Sequence, residues 1–279
     1  MPGLMELLFL LAIWLIVPLG LRQLPDSKPL RLALKLQPWF AALGTISFFI
    51  PTGPIAAAFA VPWLGLNGLV ALGGLFVLKQ SFLKGVSSWL LLAAMFFPVV
   101  GGVHFVASRA GHNLAGFPEP IILLTAIHFH YTAFAAPILA SLSGRSAIAR
   151  YSGLGLVGGT PLLAAGFLFS PVLKVVGVGI LCVSVMGLAI GQLTQVRSLP
   201  TARARILLLV SSLAVIVGMI LAAVYEHGFY TGRAWISIPQ MAWSHGILNG
   251  VGFSLCGLSA WVRPRGCPEE PGYISARGR

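Results

Sequence analysis

Few side chains in this sequence can carry chemistry, and most of them stand inside apolar runs. His104, Glu119, His128, His130, Glu226, His227 and His245 are ionisable groups within or at the edge of such runs, and Asn249 is a polar companion. Imidazole nitrogens and carboxylate oxygens together ligate zinc or iron, so His104, His128 and His245 with Glu119 or Glu226 could hold a metal ion. His128, His245 and Glu119 are the narrower metal set. His128 and His245 could instead be axial ligands to a haem, or a histidine–carboxylate relay could pass protons. The sequence contains no HExxH, no Walker loop, no GxSxG and no paired-carboxylate motif, so no complete catalytic set is visible. The glycines Gly153, Gly155, Gly158 and Gly159 follow no strand pattern and fit close helix packing better than phosphate binding.

Spacing sorts these residues. His245 and Asn249 at i,i+4 share one helix face, and His128 and Tyr131 at i,i+3 share another. His128 and His130 do not, because two residues turn a helix by roughly 200°. Only one of that pair can look straight into a common cavity, and His-x-His is therefore weak evidence for chelation on a helix. At 1.5 Å per residue His128 lies about 13 Å along the helix from Glu119. Any one of these groups alone reads as a helix–helix hydrogen bond or a boundary residue. The set, converging on one depth, reads as a shared polar site: Glu119, His128, His130, Tyr131, His245 and Asn249, with His104 and Glu226 beside them.

The elements that must position them are membrane helices. Of 279 residues 57% are hydrophobic and 9% charged, with mean hydropathy +0.93. Such a chain cannot clothe itself in a water-compatible surface, which excludes both disorder and a soluble enzyme. Apolar runs of about 20 residues fall at roughly 3–21, 37–57, 60–78, 87–108, 119–142, 152–169, 171–193, 206–226 and 241–262. The long uncharged stretch from Trp39 to Leu78 is divided near Pro51–Pro54 and Pro62. The stretch from Gly153 to Gln192 is divided at Ser170-Pro171. The first run carries Glu6, lacks a basic n-region and has no small-x-small cleavage site, so it reads as a helix and not a signal peptide.

The formal charge of +12 is then read by position. With the N-terminus outside, Arg22, Lys28, Arg31, Lys35, Lys79, Lys84, Arg145, Arg150, Arg197, Arg203, Arg205 and the tail arginines all fall inside. Only Arg109, Lys174 and Arg233 fall outside. That asymmetry predicts an all-α polytopic bundle of nine spans, N-out and C-in, and it removes any need for a nucleic-acid partner. Residues 1–262 form a single transmembrane domain in contact with the lipid bilayer, followed by a short basic tail at 263–279. After the first helix the other eight divide into two parallel fours, 37–142 and 152–262. Gly44-Thr45 echoes Gly159-Thr160, and each half carries a proline shortly before the histidine of its last helix. Cys182 and Cys256 lie in apolar runs and Cys267 in the tail, with no pairing pattern.

The segment from Glu119 to Tyr131, with its Leu124-Thr125-Ala126-Ile127-His128-Phe129-His130-Tyr131 core, resembles the YndJ-like family of bacterial multi-pass membrane proteins. So does Ser244-His245-Gly246-Ile247-Leu248-Asn249-Gly250-Val251-Gly252-Phe253, while the N-terminal third offers no motif to match. The resemblance implies a bacterial cytoplasmic membrane location and marks Glu119, His128, His130, His245 and Asn249. It supplies no reaction. The expectation is transport or permeation of a small solute, proton or metal ion through a buried His/Glu/Asn site. The alternatives are an intramembrane metal or haem enzyme acting on a lipid or isoprenoid, and a membrane sensor or assembly partner.

Overall fold

The computed structural model describes residues 3–79, 85–233 and 235–262. Lys84 and the basic tail lie outside the described residues. Seven helices are long and apolar enough to cross a bilayer: Leu4–Leu21, Pro54–Lys79, Val86–Ala110, Ile121–Leu142, Ala147–Phe169, Pro171–Leu193 and Ala202–Tyr230. Two more stand with them, so that nine helical columns occur among the described residues. Lys28–Ser47 is the second in chain order. The ninth, over 238–260, is built from Ile238–Met241, Ala242–Gly246, Leu248–Leu255 and Cys256–Ala260. Successive columns pack side by side from the second through to the ninth, the fifth against the sixth included, with the first helix laid against the second, fifth and ninth.

The second helix corrects the run drawn at 37–57. It starts at Lys28, where the Ser27 hydroxyl accepts from Leu30 N–H at 3.4 Å and Pro29 occupies the first turn. It stops at Ser47. Its first two turns are amphipathic, with Lys28, Arg31 and Lys35 exposed and Leu30, Ala33 and Gln37 buried, so a purely apolar window misses them. Arg31 also pairs with Asp26. Pro62 lies within the third helix and does not begin it. The division at Ser170 holds, for a local reason. Ser170 ends the sixth helix in an extended conformation, and its hydroxyl caps the seventh through Leu173 N–H.

Lipid tails are as apolar as leucine, so association here rests on close packing and on polar contacts between helices. Phe9 stacks on Phe105 with centroids 4.3 Å apart, and Phe48 joins at 5.5 Å from Phe105. A methyl on Gly101 would meet Phe129 and His130 at 2.9–3.0 Å, so the fourth helix needs glycine there to lie against the fifth.

Arg109 ties the opposite end of the second helix. Its Nη2 donates to the carbonyls of Ser47 and Ile50, each at 3.1 Å, and its guanidinium lies 5.1 Å over the Phe48 ring. Its own carbonyl accepts from Gly53 N–H at 2.9 Å. A helix end leaves carbonyls without partners, and one buried arginine answers two of them. Arg109→Ala is expected to lose about 2–3 kcal/mol of unfolding free energy in detergent. Arg109→Lys should recover only part of it, because an ammonium cannot reproduce the planar fork. Denaturant titration of the purified protein checks both.

Candidate functional site

Among the described residues three helices depart from the α register, and the first of them packs against the other two. Five-residue π turns occupy Ala12–Ile16 in the first helix and Tyr131–Ala135 in the fifth, while the ninth is π-helical over Ala242–Gly246 and Leu248–Leu255. Single π turns inside α-helices concentrate at functional sites. The sequence gives two of them a cause. Pro18 and Pro137 each stand two residues beyond a π turn, and a proline ring both lacks an N–H and collides with the carbonyl four residues back. In the first helix Val17 N–H bonds Ala12 O, and Pro18 offers no donor to Ile13 O. Gln37 of the second helix supplies it, with Nε2 at 2.7 Å. Tyr131 Oη donates to Leu8 O at 2.7 Å, tying the fifth helix to the first.

The ninth helix shows why its motif reads His-Gly-x-x-Asn-Gly. Gly246 and Gly250 turn a flat face to the first helix; a methyl on Gly250 would sit 3.3 Å from both Leu11 and the Tyr131 hydroxyl. His245 and Asn249 turn to the eighth. His245 Nδ1 donates to Gly218 O at 2.8 Å, and Asn249 Nδ2 donates to His245 O at 2.7 Å. A methyl on Gly218 would come within 2.9 Å of Asn249 Nδ2 and push that amide aside. Gly218 is the position that sequence reasoning missed, and nothing in its apolar surroundings marks it.

His128 and His130 part as the helical turn requires. His130 is fully buried. Its Nδ1–H donates to Ala126 O at 2.7 Å and its Nε2 accepts from Trp63 Nε1–H at 3.0 Å, so both ring nitrogens are spent. Phe9 meets its ring edge-on at 5.3 Å. His130 is therefore a packing and hydrogen-bonding group. His128 is exposed, and its ring faces that of His245 with centroids 6.4 Å apart and planes inclined by 27°. Its Nδ1–H donates to Leu124 O at 2.7 Å. A carbonyl only accepts, so Nδ1 carries the proton in both His128 and His245, and in the neutral rings each Nε2 keeps a free lone pair. His104 repeats the pattern through Val100 O at 2.8 Å, beside Phe129.

The carboxylates go elsewhere. Glu119 is exposed and its Oε2 accepts from Leu123 N–H at 3.3 Å, capping the fifth helix. It shares the electrostatic field of Arg109 with Glu6. Glu226 is buried against Lys174, with Nζ 3.0 Å from Oε1, and that ammonium lies 3.6 Å over the Phe229 ring. Lys174 is the sole charge between Gly153 and Gln192, at the same end of the bundle as Glu226, and that was the available signal for the pair. Among the described residues no three His, Cys, Asp or Glu side chains converge as metal ligands.

A helical bundle with this hydropathy and these spans is a multi-pass membrane protein. The YndJ-like protein family matches residues 7–253, and the chain belongs to that family. The match takes in the N-terminal third that carried no visible motif. The chain is 29% identical over 208 residues to the "Uncharacterized membrane protein YndJ" of Bacillus subtilis (strain 168). The alignment covers 73% of this chain and 38% of that relative. The chain thus spans well under half the length of the relative it matches. No solved structure matches it.

The two histidines of the fifth helix should separate experimentally. His130→Ala opens a cavity and strands Trp63 Nε1–H, an expected loss of about 3 kcal/mol. His128→Ala removes an exposed ring with one local bond, and its stability should stay within about 1 kcal/mol of the parent. Gly218→Ala should cost about 1–3 kcal/mol by forcing the ninth helix off the eighth. Equilibrium unfolding monitored by tryptophan fluorescence reads all three.

Proposed function

We propose that the protein passes a cation, either a proton or a transition-metal ion, through the membrane by way of His128 and His245. The observation that carries the reading is the pair itself: two imidazoles from different helices, face to face, each anchored through Nδ1–H to a backbone carbonyl. Anchoring one nitrogen to a carbonyl orients the other toward a ligand, as in histidine metal sites. A free Nε2 accepts a proton or binds a borderline metal ion. The donors are neutral, so a bound cation is held by lone pairs without a fixed countercharge. Weak holding favours release, which a transit site needs.

The order of packing supports the reading further, since the second to fifth and sixth to ninth columns follow one another in the same sequence of neighbours. On a division into two parallel fours, His128 and His245 belong to the last helix of each half. The basic residues collect at one end of the columns, which supports nine spans with the N-terminus outside, in a bacterial plasma membrane. An intramembrane metal enzyme is the second reading, but a catalytic zinc site uses three protein ligands, and the pair supplies two.

Reconstitution tests it. Proteoliposomes with a trapped pH dye and, separately, a trapped metal indicator are challenged with a proton gradient, Zn²⁺ or Cu⁺. Flux above that of empty vesicles should fall at least about tenfold in a His128→Ala, His245→Ala double variant. Flux unchanged in that variant overturns the reading. A stoichiometric metal, or a Soret band in the purified protein, moves the assignment to the enzyme.

A further inference from the structure

Toward the basic end of the bundle, four helices bring together polar side chains that none of the preceding chemistry uses. They are Ser143 after the fifth helix, Gln192 and Gln195 at the end of the seventh, Ser211 and Ser212 in the eighth, and Ser254 in the ninth. All are buried; Ser143, Gln192, Ser211, Ser212 and Ser254 are 0% exposed. Hydrogen bonds tie the group across helices. Ser211 Oγ donates to Phe253 O at 2.8 Å, Ser212 Oγ approaches Gln192 Oε1 at 3.4 Å, and Gln195 Nε2 donates to Ser143 O at 2.9 Å.

Yet the group is not satisfied within itself. Gln192 Nε2, Gln195 Oε1, Ser143 Oγ and Ser254 Oγ have no protein partner. Buried polar atoms in a folded protein are almost always paired, and those without a protein partner pair with ordered water. One such atom is an isolated exception. Here four such atoms, two amides and two hydroxyls, lie on the seventh and ninth helices and the turns after the fifth and seventh, joined through the bonds just given. Donors and acceptors are both present, which suits water and gives an ion no countercharge.

Position adds to this. Gly218, which holds His245, is seven residues from Ser211 along the eighth helix, about 10 Å. On the ninth helix Asn249 lies between His245 and Ser254. Along both helices the cluster thus lies on the basic side of the histidine pair, with Asn249 between them on the ninth. We propose that the Gln192–Ser212–Ser254 cluster is a hydrated site that binds ordered water and forms the basic-end leg of a polar path from His128 and His245. Its role as a leg of that path rests on the cation reading above; its hydration does not.

Radiolytic hydroxyl labelling of the reconstituted full chain reads bound water directly, because the radical forms where the water sits and oxidises its neighbours. Leu208, whose carbonyl accepts from Ser212, and Phe253 are buried reporters beside the cluster, and Phe105, buried among Phe9 and Phe48, is the dry control. Leu208 and Phe253 should be oxidised at least about tenfold more than Phe105. That excess should collapse in a Gln192→Leu, Ser254→Ala variant. Ser212 Oγ keeps its bond to Leu208 O at 2.9 Å when Gln192 becomes leucine, and Ser254 Oγ has no protein partner to strand, so the variant should fold. Equal labelling of reporters and control overturns the proposal, and so does excess labelling that survives in the variant. Labelling needs no flux: hydration without cation flux leaves the water site standing and removes only its place in a path.

Discussion

Inside a bilayer no water answers a backbone carbonyl, and a helix that breaks its own ladder must find another donor. Much of this fold follows from how that requirement is met. Pro18 leaves Ile13 O without a donor, and Gln37 crosses from the second helix to supply it. Where the ninth helix changes register, Asn249 answers His245 O. At the turn after the second helix, Arg109 answers Ser47 and Ile50. Asn249 acts within its own helix, but Gln37 and Arg109 reach from another one, so satisfying the backbone there also fixes helix to helix. Since apolar contact between helices is hardly favoured over contact with lipid, these polar ties do a large share of the positioning.

The same requirement decides the fates of His128 and His130. Each lies four residues beyond a carbonyl and donates Nδ1–H to it. What differs is the other nitrogen. The helix turn directs His130 into the bundle, where a lone pair without a donor would be costly and Trp63 fills it. It directs His128 away from that core, where its ring faces His245 and its Nε2 stays unspent. Two identical side chains two residues apart thus become a structural group and a free ligand.

That division was legible in the sequence as a rule and not as an answer: the 200° separation says only one of the two can face a common site. The pairing of His245 with Asn249 on one face was legible too, as were most of the spans, because the apolar runs and the break at Ser170-Pro171 are local. The start of the second helix was hidden, since its exposed lysines and arginine resemble a loop until Ser27 is seen to cap it. The π turns were hidden as well; proline two residues beyond marks two of them, but only once the register is known. Glu119 and Glu226 were read toward the histidines because depth was the only coordinate available. Depth does not give azimuth, and the carboxylates turned instead to a helix N-terminus, where an anion is favoured, and to Lys174.

The loss of those carboxylates from the site changes its electrostatics more than its size. Glu226 is neutralised by Lys174 at 3.0 Å, and removing either partner would leave an uncompensated buried charge. Glu119 caps a helix and sits in the field of Arg109. With the acidic groups committed, the unspent donors at the centre are the Nε2 lone pairs of His128 and His245, which carry no charge until something binds. A carboxylate there would hold a cation deeply, as Coulomb attraction is strong at low dielectric. Two neutral imidazoles hold it less, and the polar atoms toward Ser254 and Gln192 offer hydration and no competing anion. On the proposed cation reading, such a site suits passage better than storage, and its neutrality follows from where the fold spends its acids.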